Sequence, residues 1–181
     1  AAFAIPILEQ LAPREEISSV QALVLVPTRE LAVQVRNEFE KLAYFMDIKT
    51  AAIYGGHSIK KQIEELKRGV QVVVGTPGRV LDHIRRKTLE LRETWCVTLD
   101  EADRMLDIGF RPDIERILSS ISRKDRQTLL LSATVPPSIE RLATRYMQEP
   151  TVLDFSKDAV SGDSIEQYYF SVDKAKKNEL L

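Results

Sequence analysis

Near the middle of the sequence, the apolar run Val97-Thr98-Leu99 ends in Asp100-Glu101-Ala102-Asp103, three carboxylates within four positions. Carboxylates placed this way suit phosphate chemistry. An aspartate can hold a hydrated Mg²⁺, and the glutamate beside it can orient a water for attack on a phosphate. The plainer alternative is that Asp100 caps the helix that follows, a position aspartate favours. Two further junctions carry a hydroxyl and an arginine, Pro27-Thr28-Arg29 and Thr76-Pro77-Gly78-Arg79. Helix N-termini offer unpaired N–H groups and a positive dipole end to phosphate oxygens, and arginine adds a bidentate contact. Thr28 and Thr76 also read as N-caps and Pro77 as a first-turn proline, because capping and phosphate binding share one geometry. Gly55-Gly56 either lets a nucleic-acid backbone approach closely or turns the chain. Ser132-Ala133-Thr134 offers two hydroxyls, either to a network with Asp100 and Asp103 or to local turn chemistry.

These residues need elements to hold them. Ala22 to Val26, Lys49 to Tyr54, Val70 to Val74, residues 95–99 and Gln127 to Leu131 read as short apolar strands. Between them the period lengthens. Leu31, Val35, Phe39 and Leu42, then Ile59, Ile63 and Leu66, then Val80, Leu81 and Ile84 mark helices. Ile114, Ile117, Leu118 and Ile121 mark another, and Ile139, Leu142, Ala143 and Tyr146 the next. The residues before Pro13 read as part of a helix, and Thr151 to Phe155 as a last core strand. Strand-then-helix alternation predicts an α/β fold, a parallel sheet with helices on both faces. In such a sheet all five unusual junctions fall on one edge, beyond the strands' carboxyl ends, where open α/β sheets bind ligands.

Composition narrows the class. The 181 residues are 44% hydrophobic and 29% charged, which suits one folded domain. A net charge of −1 confines any nucleic-acid surface to a local patch. The single cysteine, Cys96, excludes an internal disulfide, suits a reducing compartment and reads as a small buried hydrophobe. A cytoplasmic protein is expected, or a nuclear one in a eukaryote, and no membrane association, since no apolar run is long enough to span a bilayer. His57 and His83 lack metal-ligand spacing, Tyr54 and Trp95 read as packing residues, and Lys60-Lys61 and Arg85-Arg86-Lys87 as solvated faces.

In order, Pro27-Thr28-Arg29-Glu30-Leu31-Ala32, Gly55-Gly56, Thr76-Pro77-Gly78-Arg79, Asp100-Glu101-Ala102-Asp103 and Ser132-Ala133-Thr134 resemble the first, RecA-like core domain of a DEAD-box RNA helicase. The resemblance implies an open, mostly parallel RecA-like sheet of the P-loop NTPase type. It also implies ATP and Mg²⁺ as cofactors. Asp100 would hold Mg²⁺ through its waters, and Glu101 would polarise the attacking water. Asp103, Ser132 and Thr134 would couple the nucleotide to RNA. Pro27, Thr28, Arg29, Gly55, Gly56, Thr76, Pro77, Gly78 and Arg79 would grip the backbone of one RNA strand, with little sequence selectivity.

Two departures qualify this. A Gly-x-x-x-x-Gly-Lys-Ser/Thr loop and the family's adenine-reading glutamine motif are absent. Ala1 resembles the residue just after that loop, so the chain is expected to be a segment, weakly stable and inactive as an ATPase on its own. The expected organisation is a first core domain over 1–155, a linker over 156–165 and the start of a second RecA-like domain over 166–181. That second domain would be the intramolecular partner. The competing readings are a non-hydrolysing RNA-binding scaffold module and a different phosphate-loop ATPase, such as a DNA translocase.

Overall fold

Five short strands form the sheet: β1 (Ala22–Leu25), β2 (Thr50–Ile53), β3 (Val72–Gly75), β4 (Cys96–Leu99) and β5 (Gln127–Leu130). Among the described residues, seven helices accompany them: α1 (Ala4–Gln10), α2 (Arg29–Leu42), α3 (Ile59–Lys67), α4 (Pro77–Arg85), α5 (Ala102–Asp107), α6 (Arg111–Ser120) and α7 (Pro137–Tyr146). The computed structural model describes residues 2–11, 19–122, 125–155, 168 and 171–172. All of these elements lie in one unit, Ala1–Pro150; Thr151–Leu181 forms a second.

Every strand pairing is parallel, in the order β2-β3-β1-β4-β5. The central strands β1, β3 and β4 are buried at all four positions, which is why they read as continuous apolar runs. Alternation sends Leu23, Leu25, Val73, Val97 and Leu99 into a core with Val80, Met105, Ile114, Ile117, Ile139 and Leu142. The opposite face packs Ala22, Val24, Val72, Val74 and Cys96 against Ile7, Ala32 and Phe39 of α1 and α2. Helices therefore cover both faces. Arg126, just before β5, donates to the carbonyls of Leu118, Ile121 and Tyr146, stitching the ends of α6 and α7 together.

The register matters most for function. Ile53, Gly75, Leu25, Leu99 and Leu130, the last residues of β2, β3, β1, β4 and β5, lie in one row across the sheet. Whatever follows each strand therefore emerges at one level.

Three expectations fail. Leu42, expected on the buried face of α2, is exposed in the helix's last residue position. The buried residue of α3 is the polar Gln62, while Ile59 and Ile63 are only half-buried. Thr151 to Phe155 form no strand, and Val152, Leu153 and Phe155 are exposed. A strand needs a neighbour's ladder, and the sheet has five members with none at 151–155. The expected linker at 156–165 lies outside the described residues, as does most of the expected start of a second domain at 166–181. Among the described residues, no helix is long and apolar enough to cross a membrane.

Candidate functional site

Because the strands end in register, their exits form one rim. Across the sheet it runs Gly55-Gly56, then Thr76 to Arg79, then Pro27 to Arg29, then Asp100-Glu101, then Ser132 to Thr134. The chain order of these groups is different, so the fold and not the sequence makes them neighbours.

On the β2–β3–β1 side, Thr28 stands at the N-cap of α2, its hydroxyl accepting from the Leu31 N–H at 3.2 Å. Pro27 is buried beside it. Arg29 is exposed and ion-paired with Glu30, the neighbouring carboxylate that holds its guanidinium charged. Gly56 has φ of +78°, and a Cβ built there would sit 3.9 Å from Arg29 Nη1. The glycine loop and Arg29 thus meet although they are far apart in sequence. Gly55 and Gly78 are exposed; a Cβ at Gly55 would meet nothing within 4 Å, and one at Gly78 would lie 3.6 Å from Asp113 Oδ2. Thr76 occupies the N-cap of α4 without a side-chain capping bond, which leaves its hydroxyl free of that duty, and Pro77 begins the helix. Arg79 Nη1 donates to the His57 carbonyl and to Gln62 Oε1, both at 3.0 Å.

The β4–β5 side is acidic. Asp100 follows β4, with its N–H bonded to the Leu25 carbonyl at 3.0 Å. It is half-buried, and burial pushes its carboxyl above the usual aspartate range against one compensating bond from the Glu101 N–H at 3.1 Å. Glu101 adopts a left-handed backbone, φ +50° and ψ +50°. A non-glycine residue there carries strain of about 1–3 kcal/mol, a cost that clusters at functional sites. Its carboxylate pairs with Arg104 at 3.0 Å, so orienting a water means sharing or leaving that partner.

Asp103 accepts from the Thr134 hydroxyl at 2.8 Å and the Thr134 N–H at 3.0 Å, and its own N–H donates to Ser132 Oγ at 3.2 Å. Ser132 in turn donates to the Thr134 carbonyl at 2.6 Å. Partial burial works against the charged form of Asp103, but the bonds from Thr134, the Arg104 N–H and Ser132 outweigh it and hold its carboxyl below the usual range. The three residues expected to act together are one hydrogen-bonded unit. The structure gives no bond between Asp100 and either hydroxyl of that unit.

A half-buried carboxylate with a single donor among the described residues suits a hydrated Mg²⁺. Such an ion keeps most of its waters and needs only one or two carboxylates. Burial also pushes the Cys96 thiol, at the far end of β4 from this edge, up to about 11, so it is inert packing.

A family model described as DEAD/DEAH box helicase matches residues 1–142. The chain belongs to that family. It is 48% identical, over all 181 residues, to a DEAD-box ATP-dependent RNA helicase CshA of Geobacillus kaustophilus, of which it covers 38%. To the ATP-dependent RNA helicase CshA of Listeria monocytogenes it is 44% identical over the same length, covering 34%. The chain thus spans little more than a third of these relatives. Among solved structures, a DEAD box protein from the hyperthermophile Methanococcus jannaschii matches 81% of this chain with a TM-score of 0.76 and 48% identity, over 39% of its own length. The yeast DEAD-box splicing factor Prp28 matches 82% with a TM-score of 0.77 and 37% identity, over 37% of its own length. This is a CshA-like stretch of the DEAD-box N-terminal RecA-like domain, with its five-stranded, all-parallel α/β sheet. The CshA relatives are ATP-dependent RNA helicases by name.

Two residues at this DEAD-box rim escaped the reading by motif. Arg104, the partner of Glu101, follows the tetrad directly and looks like an ordinary helix-surface charge. Gln62 sits on the same helical face as Ile59, Ile63 and Leu66, and a polar residue interrupting an apolar stripe is the signal that could have found it.

Proposed function

We propose that this chain forms the Mg²⁺-holding, water-orienting and RNA-gripping rim of an ATP-dependent RNA helicase, which couples ATP binding and hydrolysis to RNA-strand clamping and local duplex unwinding. The in-register strand ends carry this reading, because they set five motif-bearing junctions side by side on one edge. ATP and Mg²⁺ would supply the phosphoryl chemistry. Asp100 holds the ion through its waters, and Glu101 orients the attacking water. Asp103, Ser132 and Thr134 carry the nucleotide state towards the RNA side through the bonds they already share. Pro27, Thr28, Arg29, Gly55, Gly56, Thr76, Pro77, Gly78 and Arg79 meet the phosphodiester backbone of one RNA strand. The contacts favour shape over sequence and weaken with salt. The same proposal assigns a linker to 156–165, the opening of a second RecA-like domain to 166–181, and a cytoplasmic setting.

The 181 residues include no Gly-x-x-x-x-Gly-Lys-Ser/Thr loop, so this polypeptide alone lacks the cradle that phosphoryl transfer requires. It is expected to show no RNA-stimulated ATPase, measured by phosphate release with Mg²⁺ and single-stranded RNA. In a helicase-length protein carrying this chain, Glu101→Gln is expected to abolish turnover and leave ATP and RNA binding in place. Turnover by the 181 residues alone, or retained turnover in the Glu101→Gln protein, refutes the assignment.

A further inference from the structure

Gln62, 1% exposed on α3, and His83, fully buried on α4, lie outside every motif and form a polar network that reaches Arg79. Gln62 Nε2 donates to the Tyr54 carbonyl at 3.0 Å. Gln62 Oε1 accepts from Arg79 Nη1 at 3.0 Å and lies 3.1 Å from His83 Nε2. The surroundings fix the amide's orientation. Turned over, it would set an NH₂ against a guanidinium and an oxygen against a carbonyl. His83 Nε2 carries the proton towards Gln62. Its Nδ1 lies 2.9 Å from the Thr88 hydroxyl, which also donates to the His83 carbonyl at 3.2 Å. Burial and the nearby Arg79 charge lower the basicity of the ring.

We propose that Gln62 is a positioning residue for RNA binding: it locks the Arg79 guanidinium to the loop that carries Gly55 and Gly56. Both elements are fastened to one side chain. The loop hangs on Gln62 through the Tyr54 carbonyl, and Arg79 on Gln62 Oε1 and the His57 carbonyl. A single nitrogen of Arg79, Nη1, makes both inward bonds. Its Nε and Nη2 groups have no partner among the described residues and remain available to a phosphate. Methionine is close to glutamine in size but supplies neither hydrogen-bonding end, so it would leave Arg79 and His83 facing an apolar wall. The inference rests on Arg79 and the glycine loop being RNA contacts.

The test uses a helicase-length protein carrying this chain, with anisotropy binding of a mixed-sequence single-stranded RNA and steady-state RNA-stimulated ATPase. Gln62→Met is expected to raise the RNA concentration for half-maximal ATPase about tenfold, leaving kcat at saturating RNA and KM for ATP within about twofold. Gln62→Glu keeps the acceptor for Arg79 and is expected to recover part of that loss. In an Arg79→Ala background, Gln62→Met is expected to add little, because the group it holds is gone. If Arg79→Ala leaves RNA binding unchanged, the RNA-contact reading fails and takes this inference with it. If Arg79→Ala weakens RNA binding but Gln62→Met does not, or the two losses add in full, only the positioning role is overturned. Should Gln62→Met melt early, Gln62→Glu carries the comparison. A raised RNA requirement at constant kcat supports positioning, and a uniform fall in every parameter overturns it.

Discussion

The two halves of the rim are built on different principles. On the β2–β3–β1 half, the groups proposed to meet RNA are neutral or cationic, and part of them is fastened from beneath. Arg79 and the glycine loop hang on the buried Gln62–His83 pair, and Thr28 is engaged in capping α2. On the β4–β5 half, the groups are acidic and held with less support. Glu101 sits on a strained backbone, Asp100 has one donor among the described residues, and the Asp103 unit lies at the surface. The flanking strands repeat the contrast. β2 is buried at three of its four positions and half-buried at the fourth, whereas Gln127 of β5 is exposed and its next three residues are half-buried. A binding surface gains from rigid preorganisation, while a carboxylate that must handle an ion and a water needs unspent lone pairs. The looser half is the half assigned chemistry.

The largest effect expected from breaking this contrast is on Glu101. Replacing a group that orients the attacking water removes a general-base contribution of about 10²–10⁴ in rate. Glu101→Gln in a helicase-length protein should therefore lower kcat for ATP by that order while the RNA dissociation constant holds. A parallel loss of RNA affinity would mean that the halves are not separable in this way.

The RNA half is expected to fail by packing rather than by chemistry. Gly75 ends β3, and a Cβ there would lie 2.6 Å from both the Ile53 carbonyl oxygen and Val80 Cγ2. Gly75→Ala should cost about 1–3 kcal/mol by thermal or urea unfolding, the usual penalty of overpacking a core. A Cβ at Gly55 would meet nothing within 4 Å, so Gly55→Ala should leave stability unchanged and report on RNA approach alone. An RNA affinity unaffected by Gly55→Ala would reduce that residue to a plain turn.

These contrasts also mark how far the sequence could be read. The edge itself was legible, because a parallel sheet covered on both faces must show apolar runs, each ending where the period lengthens. The Asp103–Ser132–Thr134 unit was legible as a neighbourhood, since β4 and β5 pair side by side in the parallel sheet. The support beneath Arg79 was not. Periodicity rewards apolar residues, so Ile59, Ile63 and Leu66 drew the face of α3, and the side chain that α3 buries is Gln62. Thr151 to Phe155 misled for the opposite reason. Val152, Leu153 and Phe155 have strand-like composition, but composition cannot supply the partner whose backbone a strand needs.

A smaller effect should sharpen the same comparison through the Asp103 unit. Asp103→Ala or Thr134→Val breaks the bond at 2.8 Å that joins the β4 and β5 exits. The expected result is weaker stimulation of ATPase by RNA, with RNA binding in the absence of nucleotide unchanged. Equal stimulation in both variants would detach this unit from coupling.

The smallest effect is on stability, and its pH dependence has opposite signs at two neighbouring aspartates. Burial raises the folded-state pKa of Asp100 above its unfolded value. Its favourable balance is therefore fully present below the unfolded value and is lost as pH rises through the folded one. Asp100→Asn removes that ionisation. The variant should melt higher than the parent at neutral pH, with a gap that opens as pH climbs through the carboxylate range and then stays level. At Asp103 the folded value is depressed by the bonds from Thr134 and Arg104, so its contribution is present above the unfolded value and lost as pH falls through the folded one. Asp103→Asn should accordingly lower the melting temperature at neutral pH and lose that deficit in acid. Melting curves of the two variants against the parent, from neutral to acid pH, check both signs together. If Asp100→Asn melts no higher at neutral pH, its carboxylate is not paying a burial cost, and the contrast between a chemically poised half and a fastened half loses its thermodynamic side.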